Sequence, residues 1–289
     1  MSFPPTFTER LDHRDRIWWH SQHPNRRRRL TDRLHRVHES RTFRHRDDPA
    51  TAWHCCEFWP RLLLNKYNGR EFASRHGCVN PELLWWGSDH DAIPFDQLPS
   101  NFAIRPVWGT ARRGVVVVAA DRELIHGVPA EPQRLRAVLP RTKMLRRPMT
   151  VLVEEFVPDV TAADQLPVEI KAHTFVDEVA ALEVQTRRGT QVDAYRFYAR
   201  DWQPLQLEFY EGHPQDAPLR EPPDWLDELL KQAARLGTAI GTYMRFDFFA
   251  GANGPVFNEF SSTPRWHPYT RELDEWFGRL WAEHCPDRL

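Results

Sequence analysis

Four side chains in the stretch TYMRFDFFAGANGPVFNEFSSTP, Thr242–Pro264, have the types and spacing to do chemistry together. Tyr243–Phe249 is aromatic-rich, Asn253-Gly254 supplies a turn and Val256–Phe260 runs back, which is the pattern of a β-hairpin. Side chains of a strand alternate between faces, so Arg245 and Asp247 share one face and Met244, Phe246 and Phe248 take the other. On the return strand Glu259 and Ser261 share a face, and Asn258 points away from them unless a bulge re-aims it. Two carboxylates with a hydroxyl nearby suit Mg²⁺, a hard ion that takes a few protein oxygens and fills its shell with phosphate oxygens. An arginine beside them can grip a phosphoryl or carboxylate group through a bidentate fork. The same alternation also describes an exposed face of mixed charge.

Two further stretches bear on phosphate chemistry. Phe102–Val118 reads as strand, loop and strand, with Arg105 on the first strand and Gly109-Thr110-Ala111-Arg112-Arg113-Gly114 as the loop. Such a glycine-bounded loop can cradle phosphate with its N–H groups, or simply close an ordinary hairpin. Pro167–Val176 alternates, with Glu169, Lys171 and His173 on one face and Ile170 and Ala172 on the other. His173 is a candidate acid/base residue and equally a structural histidine.

These residues need elements to hold them. Leu64–Ala73 followed by His76-Gly77 reads as a helix with a glycine cap. Leu83–Trp86 reads as a short buried strand, and Met149–Val157 as a buried strand ending in acidic residues. Ala180–Thr186 and Tyr195–Trp202 read as strands. Asp224–Gly237 has an N-cap at Asp224, an apolar face of Leu226, Leu229, Leu230 and Ala233, and a glycine stop, so it reads as the helix feeding the hairpin. Thr270–His284 is a final helix whose Leu273, Trp276, Phe277, Leu280 and Trp281 form a core stripe.

At 289 residues, with 41% hydrophobic and 12% aromatic content, the chain can bury a substantial globular core. No run reaches the roughly 18 apolar residues of a membrane span, and the N-terminus lacks a signal-peptide core, so a cytoplasmic protein is expected. Cys55, Cys56, Cys78 and Cys285 have neither disulfide nor zinc spacing; the adjacent pair after His54 is expected to be buried thiols. The net charge of −1 hides an arginine-rich segment from Arg26 to Arg46. It is either a solvated helical face, with Leu30–His38 as the helix, or a surface for RNA, anionic lipid or an acidic substrate. Sparse aromatics within it argue against single-strand stacking.

Taken together, R-x-D, a loop and then Glu259-Phe260-Ser261-Ser262-Thr263-Pro264 resemble the metal-binding hairpin of the ATP-grasp superfamily, and in particular its TupA-like branch. Asn65-Lys66, Arg70-Glu71-Phe72-Ala73 and Gly77 resemble that branch's opening helix, with Asn65 where aspartate is usual; the likeness spans about Leu62 to Pro268. The resemblance implies an α+β ATP-grasp fold: an N-terminal region over 1–100, a small lobe over 101–155 and a large lobe over 156–289, with ATP between the lobes. It implies Mg²⁺ on Asp247, Glu259 and Ser261, and phosphate contacts from Arg105, which replaces the usual lysine, Lys171 and the loop residues Gly109, Thr110 and Gly114. It further implies main-chain contacts to adenine at Glu154 and Val157, a ribose contact at Asp159, and catalytic roles for Arg245 and Lys171. The implied activity is a carboxylate–amine ligase that passes through an acyl phosphate, with a small-molecule amino acid or a peptide as partner. The pocket for that substrate is expected to draw on the tryptophan-rich N-terminal region and Arg265-Trp266-His267-Pro268. A non-catalytic nucleotide or peptide binder, an ATP-dependent kinase and an RNA- or tRNA-associated protein remain as other readings.

Overall fold

The computed structural model describes residues 42–55, 59–109, 114–139, 149–160, 165–188, 191–262 and 269–285. The basic segment up to residue 41, Cys56, the loop residues Thr110–Arg113 and the segment Thr263–Pro268 lie outside the described residues. Five strands, β1 (Leu83–Gly87), β2 (Phe102–Pro106), β3 (Val116–Ala119), β4 (Arg122–Glu123) and β5 (Val151–Glu155), form one antiparallel sheet in the order β1-β5-β2-β3-β4. A second antiparallel sheet has the order β10-β9-β6-β7-β8, from β6 (Glu169–Phe175), β7 (Glu178–Arg188), β8 (Gln191–Tyr198), β9 (Tyr243–Gly251) and β10 (Gly254–Ser261). Among the described residues the α-helices are α1 (Ala50–Trp53), α2 (Lys66–Arg75), α3 (Pro132–Val138), α4 (Leu226–Ile240) and α5 (Arg271–His284). This is an α+β fold, and no helix among the described residues is long and apolar enough to cross a membrane.

Strand alternation decides what each sheet buries. In the first sheet, Phe102, Ile104, Val116, Val118, Val151 and Val153 pack with Leu135 of α3. The opposite face carries Ala103, Val115 and Val117, with Phe156 against them, and looks toward the second sheet. Strand β1 is the sheet's outer strand, so it is half-buried rather than buried as expected, with Trp86 42% exposed.

In the second sheet, Ile170, Ala172, Leu182, Val184, Met244, Phe246 and Phe248 lie on Leu229, Ala233, Leu236 and Ile240 of α4. Trp53 and Trp59 join this core. The other face changes character along its length. At one end Phe175, Tyr195, Phe197 and Tyr243 are covered by Leu273, Phe277 and Trp281 of α5. The middle is ionic, and the far end opens toward the first sheet.

The described residues between 42 and 100 are divided between these two layers: β1 pairs with β5, while α2 lies on β10. Asn65 caps α2 by accepting from the Tyr67 N–H at 3.0 Å, and Gly77 ends it with φ 73°. At Gly69 a Cβ would stand 2.9 Å from the Leu63 carbonyl and 3.1 Å from the Phe260 ring, so glycine lets helix and hairpin touch. The two described arginines of the basic segment are tied internally, Arg44 to the Ala52 carbonyl and Arg46 bidentately to Glu71.

Two features differ from what the sequence leads one to expect. Cys55 is exposed, not buried; Cys78 and Cys285 are the buried thiols, and burial pushes the Cys78 thiol up to about 11. Helix α4 begins after Trp225 without a side-chain cap and runs past Gly237 to stop at Gly241, whose φ is 69°. Asp227 and Glu228 in its first turn complement the helix dipole in place of an Asp224 cap. Gly237 serves packing instead: a Cβ there would lie 1.8 Å from the Val176 carbonyl oxygen. Alanine favours a helix interior by about 1 kcal/mol over glycine, yet Gly237→Ala should destabilise the protein by about 2 kcal/mol or more through this backbone collision. Urea unfolding measures it; a stabilised variant would contradict the packing described.

Candidate functional site

The hairpin aligns Asp247 opposite Glu259 and Arg245 opposite Ser261 as cross-strand partners. Its ladder slips between Phe257, opposite Phe248, and Glu259, opposite Asp247, so Asn258 is the extra residue of a β-bulge. The bulge brings Asn258 to the same side as Glu259, where its Oδ1 accepts from Nη1 of Arg105 and both residues line the cleft between the sheets. On the other edge of β9, Lys171 of β6 faces Asp247 and His173 faces Arg245. Strand β7 adds Glu183 opposite Lys171.

At the centre Asp247 is fully buried. Arg245 donates to it through Nε and Nη2, each at 2.7 Å, and the Lys171 ammonium lies 2.6 Å from Oδ2. Burial disfavours the Arg245 charge, but Asp247 outweighs it and raises that group above its usual value. Arg245 also donates to Ser261 Oγ at 3.3 Å. Lys171 is held on its other side by Glu169 at 2.6 Å, and Glu169 in turn meets Arg187 at 3.3 Å.

Behind this centre, His173 accepts from or donates to the Tyr243 hydroxyl at 2.9 Å through Nδ1, and its Nε2 is 3.7 Å from Glu183. The Tyr210 hydroxyl donates to Glu183 at 3.2 Å. Burial lowers the His173 pKa below its usual value and so favours the neutral ring, which is fully buried and stands outside the cleft lining. Glu183, despite burial, is held below the carboxylate range by His173 and Arg245.

Above the centre a cleft lies between the two sheets. Its roof is apolar, with Ala103, Val115, Val117 and Phe156; its floor carries Phe249, Glu169, Arg187, Asn258 and Glu259; Lys66, Arg105 and Gly109 stand at one end. Arg105 is tied to Glu154 by a 2.7 Å bond from Nε, and Arg70 approaches the same carboxylate at 3.7 Å. The Glu154 carboxylate is thereby committed inside the protein, and Glu155-Phe156-Val157 form the cleft's edge. Lys171, Arg245, Asp247 and Ser261 lie beneath the lining, and Asp159 lies outside it, half-buried, with its N–H donating to the Gln165 carbonyl at 3.4 Å. Gly114 follows the undescribed part of the loop with φ 72°.

Lys66 has no assigned role in the sequence reading beyond its motif, yet its ammonium lies 2.8 Å from Glu259 and 3.3 Å from the Gly109 carbonyl. Burial pushes the Glu259 carboxyl up, but Lys66, Lys171 and Arg105 outweigh it and hold it down at about 2. Glu183 and Arg187 were likewise unassigned; their alternation on a polar face of Glu178–Arg188 is the only sequence signal for them. Among the described residues no group of three or more His, Cys, Asp or Glu side chains gathers around one point. The pair Asp247 and Glu259 nonetheless fits Mg²⁺, which is commonly held by one or two carboxylates and completed by substrate phosphates and water. Both carboxylates here meet cations instead, Arg245 and Lys171 on one and Lys66 on the other, as a site built for positive charge would.

The TupA-like ATP-grasp family model matches residues 60–282. A comparison with curated proteins finds no match. Among solved structures, the chain is similar to the ATP-grasp ligase PsnB complexed with minimal precursor, at 15% identity and TM-score 0.44 over 78% of this chain and 60% of that one. It is similar to the ADP complex of PurK, an N5-carboxyaminoimidazole ribonucleotide synthetase, at 11% identity and TM-score 0.49 over 78% and 53%. The D-alanine–D-alanine ligase of Bacillus anthracis complexed with ATP matches at 12% identity and TM-score 0.47 over 78% and 66%. The chain thus spans between half and two thirds of the length of these proteins.

The neutral His173 gives the site a pH signature. Because its folded pKa is lowered from 6.5, the unfolded chain binds its proton first as pH falls, and stability present above pH 6.5 is lost below it. His173→Gln should therefore flatten the decline in unfolding free energy between about pH 6.5 and 5 relative to the parent. Chemical denaturation across that range measures it, and parallel profiles would show that His173 is not held neutral.

Proposed function

The chain belongs to the TupA-like ATP-grasp family, and on that premise we propose that it is an ATP- and Mg²⁺-dependent carboxylate–amine ligase acting on an amino acid or a peptide. The observation that carries this reading is the convergence, on one cleft, of an apolar slot, a cationic end and the Glu259 carboxylate, with its cross-strand partner Asp247 buried beneath the lining. The slot between Val117, Phe156 and Phe249 suits a planar base, with main-chain groups of Glu154 and Val157 as its polar partners and Asp159, two residues beyond Val157, as the candidate for the ribose. Arg105 and the loop that begins at Gly109 and ends at Gly114, Thr110 included, receive the triphosphate, with the Lys171 charge beneath the lining in support. Mg²⁺ on Asp247 and Glu259, with Ser261 at the margin, neutralises the phosphate oxygens when bound.

Each step then has residues to serve it. A substrate carboxylate oxygen attacks the γ-phosphorus of ATP and ADP leaves, giving an acyl phosphate. The amine attacks the acyl carbon, a proton is lost from nitrogen and inorganic phosphate departs with the C–O bonding pair. Charge builds first on the transferring phosphoryl group and then on the tetrahedral oxygen, and Arg245 is the fixed cation beneath both. Its bidentate hold on Asp247 keeps the two groups in register during this change.

A second reading has one specific support. Arg105 is engaged by Glu154 and Asn258, so its fork is less free for phosphate than a lysine would be. A protein limited in this way binds nucleotide without turning it over. The RNA reading draws nothing from Arg44 and Arg46, both tied internally.

Release of ADP and phosphate from Mg²⁺-ATP, measured over pooled amino acids and small carboxylates with hydroxylamine present, tests the ligase. Hydroxamate formation traps the acyl phosphate and names the carboxylate; ATP binding without ADP from any acceptor favours the binder. Asp247→Ala and Glu259→Ala should each lower Mg²⁺-ATP affinity by about tenfold or more. Unchanged binding in both variants would remove the metal assignment.

A further inference from the structure

Two lysines enter the ionic centre, and they are held differently. The Lys171 ammonium is clamped between Asp247 and Glu169, each at 2.6 Å, with 3% of its side chain exposed, and it does not line the cleft. The Lys66 ammonium has one carboxylate, Glu259 at 2.8 Å, and one neutral partner, the Gly109 carbonyl at 3.3 Å. Both Lys66 and Glu259 line the cleft, and 30% of the Glu259 side chain is exposed there.

The backbone beneath Lys66 is fixed while its ammonium is not. The Lys66 N–H donates to the Val107 carbonyl at 2.9 Å, Asn65 caps the helix, and Gly69 seats that helix on Phe260 of the hairpin. From this anchored Cα a flexible four-carbon stem carries the charge, so the ammonium can change partners without moving the helix. A divalent cation on Glu259 would meet the Lys66 charge at contact distance, and like charges so close cannot share one carboxylate.

We propose that Lys66 is a resident counter-ion of Glu259: it keeps divalent cations off this carboxylate in the nucleotide-free cleft, and on their entry transfers its ammonium to the anionic phosphoryl end of the substrate. The inference rests on the reading of Asp247 and Glu259 as the divalent-cation site and deepens it. It makes metal binding dependent on nucleotide. The incoming phosphates supply the anion that Lys66 needs when it gives up Glu259. The cationic end of the cleft, with Arg105, thereby gains one more positive charge when the triphosphate arrives.

The test is Mn²⁺ binding to the full chain without nucleotide, followed by the electron paramagnetic resonance signal of free Mn²⁺. Lys66→Gln keeps a donor for the Gly109 carbonyl but removes the charge, and should tighten Mn²⁺ binding by about tenfold or more over the parent. Lys66→Met, as a second variant, should do the same, whereas Lys66→Arg should behave as the parent. Adding Glu259→Gln to Lys66→Gln should abolish the gain. Equal Mn²⁺ affinity in the parent and both uncharged variants overturns the proposal, as does a gain that survives Glu259→Gln. The metal assignment itself is read separately: Asp247→Ala in an otherwise unchanged chain should lose Mn²⁺ binding in the presence of ATP, and retention there overturns that reading whatever Lys66 does.

Discussion

A carboxylate with no exposed surface, Asp247, held by two bonds from Arg245 and one from Lys171, is the constraint around which the second sheet is arranged. Removing such ions from water costs several kcal/mol apiece, and close, well-directed partners are the only local compensation. The three groups come from two adjacent strands, so their meeting demands one register. That register also places Ile170, Ala172, Met244, Phe246 and Phe248 together on the opposite face against α4. A slip by one residue would turn the charges into the aromatic core and the phenylalanines into the cleft. The hydrophobic pattern and the ionic pattern therefore specify the same pairing, each making errors in the other costly.

The cleft depends on a departure from that regularity. Perfect alternation would aim Asn258 away from Glu259, yet the bulge brings it to Arg105 of the other sheet. One extra residue thus converts a strand of one layer into a contact surface for both. The bond is also what distinguishes Arg105 from a free cation: its guanidinium braces the roof against the floor through Glu154 and Asn258. The polar end of the cleft is accordingly pre-shaped, with charges already paired, and a ligand entering it must exchange partners rather than fill open space.

Much of this was legible in the chain because alternation is local. The faces of Tyr243–Phe249 and of Glu169–His173, the Asn65–Gly77 helix and the aromatic stripe of the last helix follow from side-chain period alone. What escaped were properties set by the third dimension. Gly237 reads as a helix stop because glycine ends helices, but its role is to let Val176 approach. Lys66 reads only as part of the opening-helix motif, and the packing of that helix on β10 is what brings it to Glu259. Cys55 reads as a buried thiol because its spacing suits neither a disulfide nor a zinc site, and it is exposed. The family likeness supplied roles for Arg105 and Lys171 that no local pattern contains, and it supplied none for Glu183 or Arg187, which act through neighbours on adjoining strands.

The division of the described residues before Phe102 between two sheets has a bearing on how the chain reaches its native state. Leu83 of β1 is paired with Glu154, and the Val79 carbonyl accepts from the N–H of Phe257, near the far end of the sequence. Contacts of such separation form late, since the loop between them must be closed before they reward it. During synthesis the Val79–Gly87 stretch, with its two tryptophans, emerges long before either partner strand, and its greasy edge must wait for them. The segment that finally ties both layers together thus stays exposed through most of synthesis, and the nascent chain is vulnerable to mispairing there until the hairpin has been made.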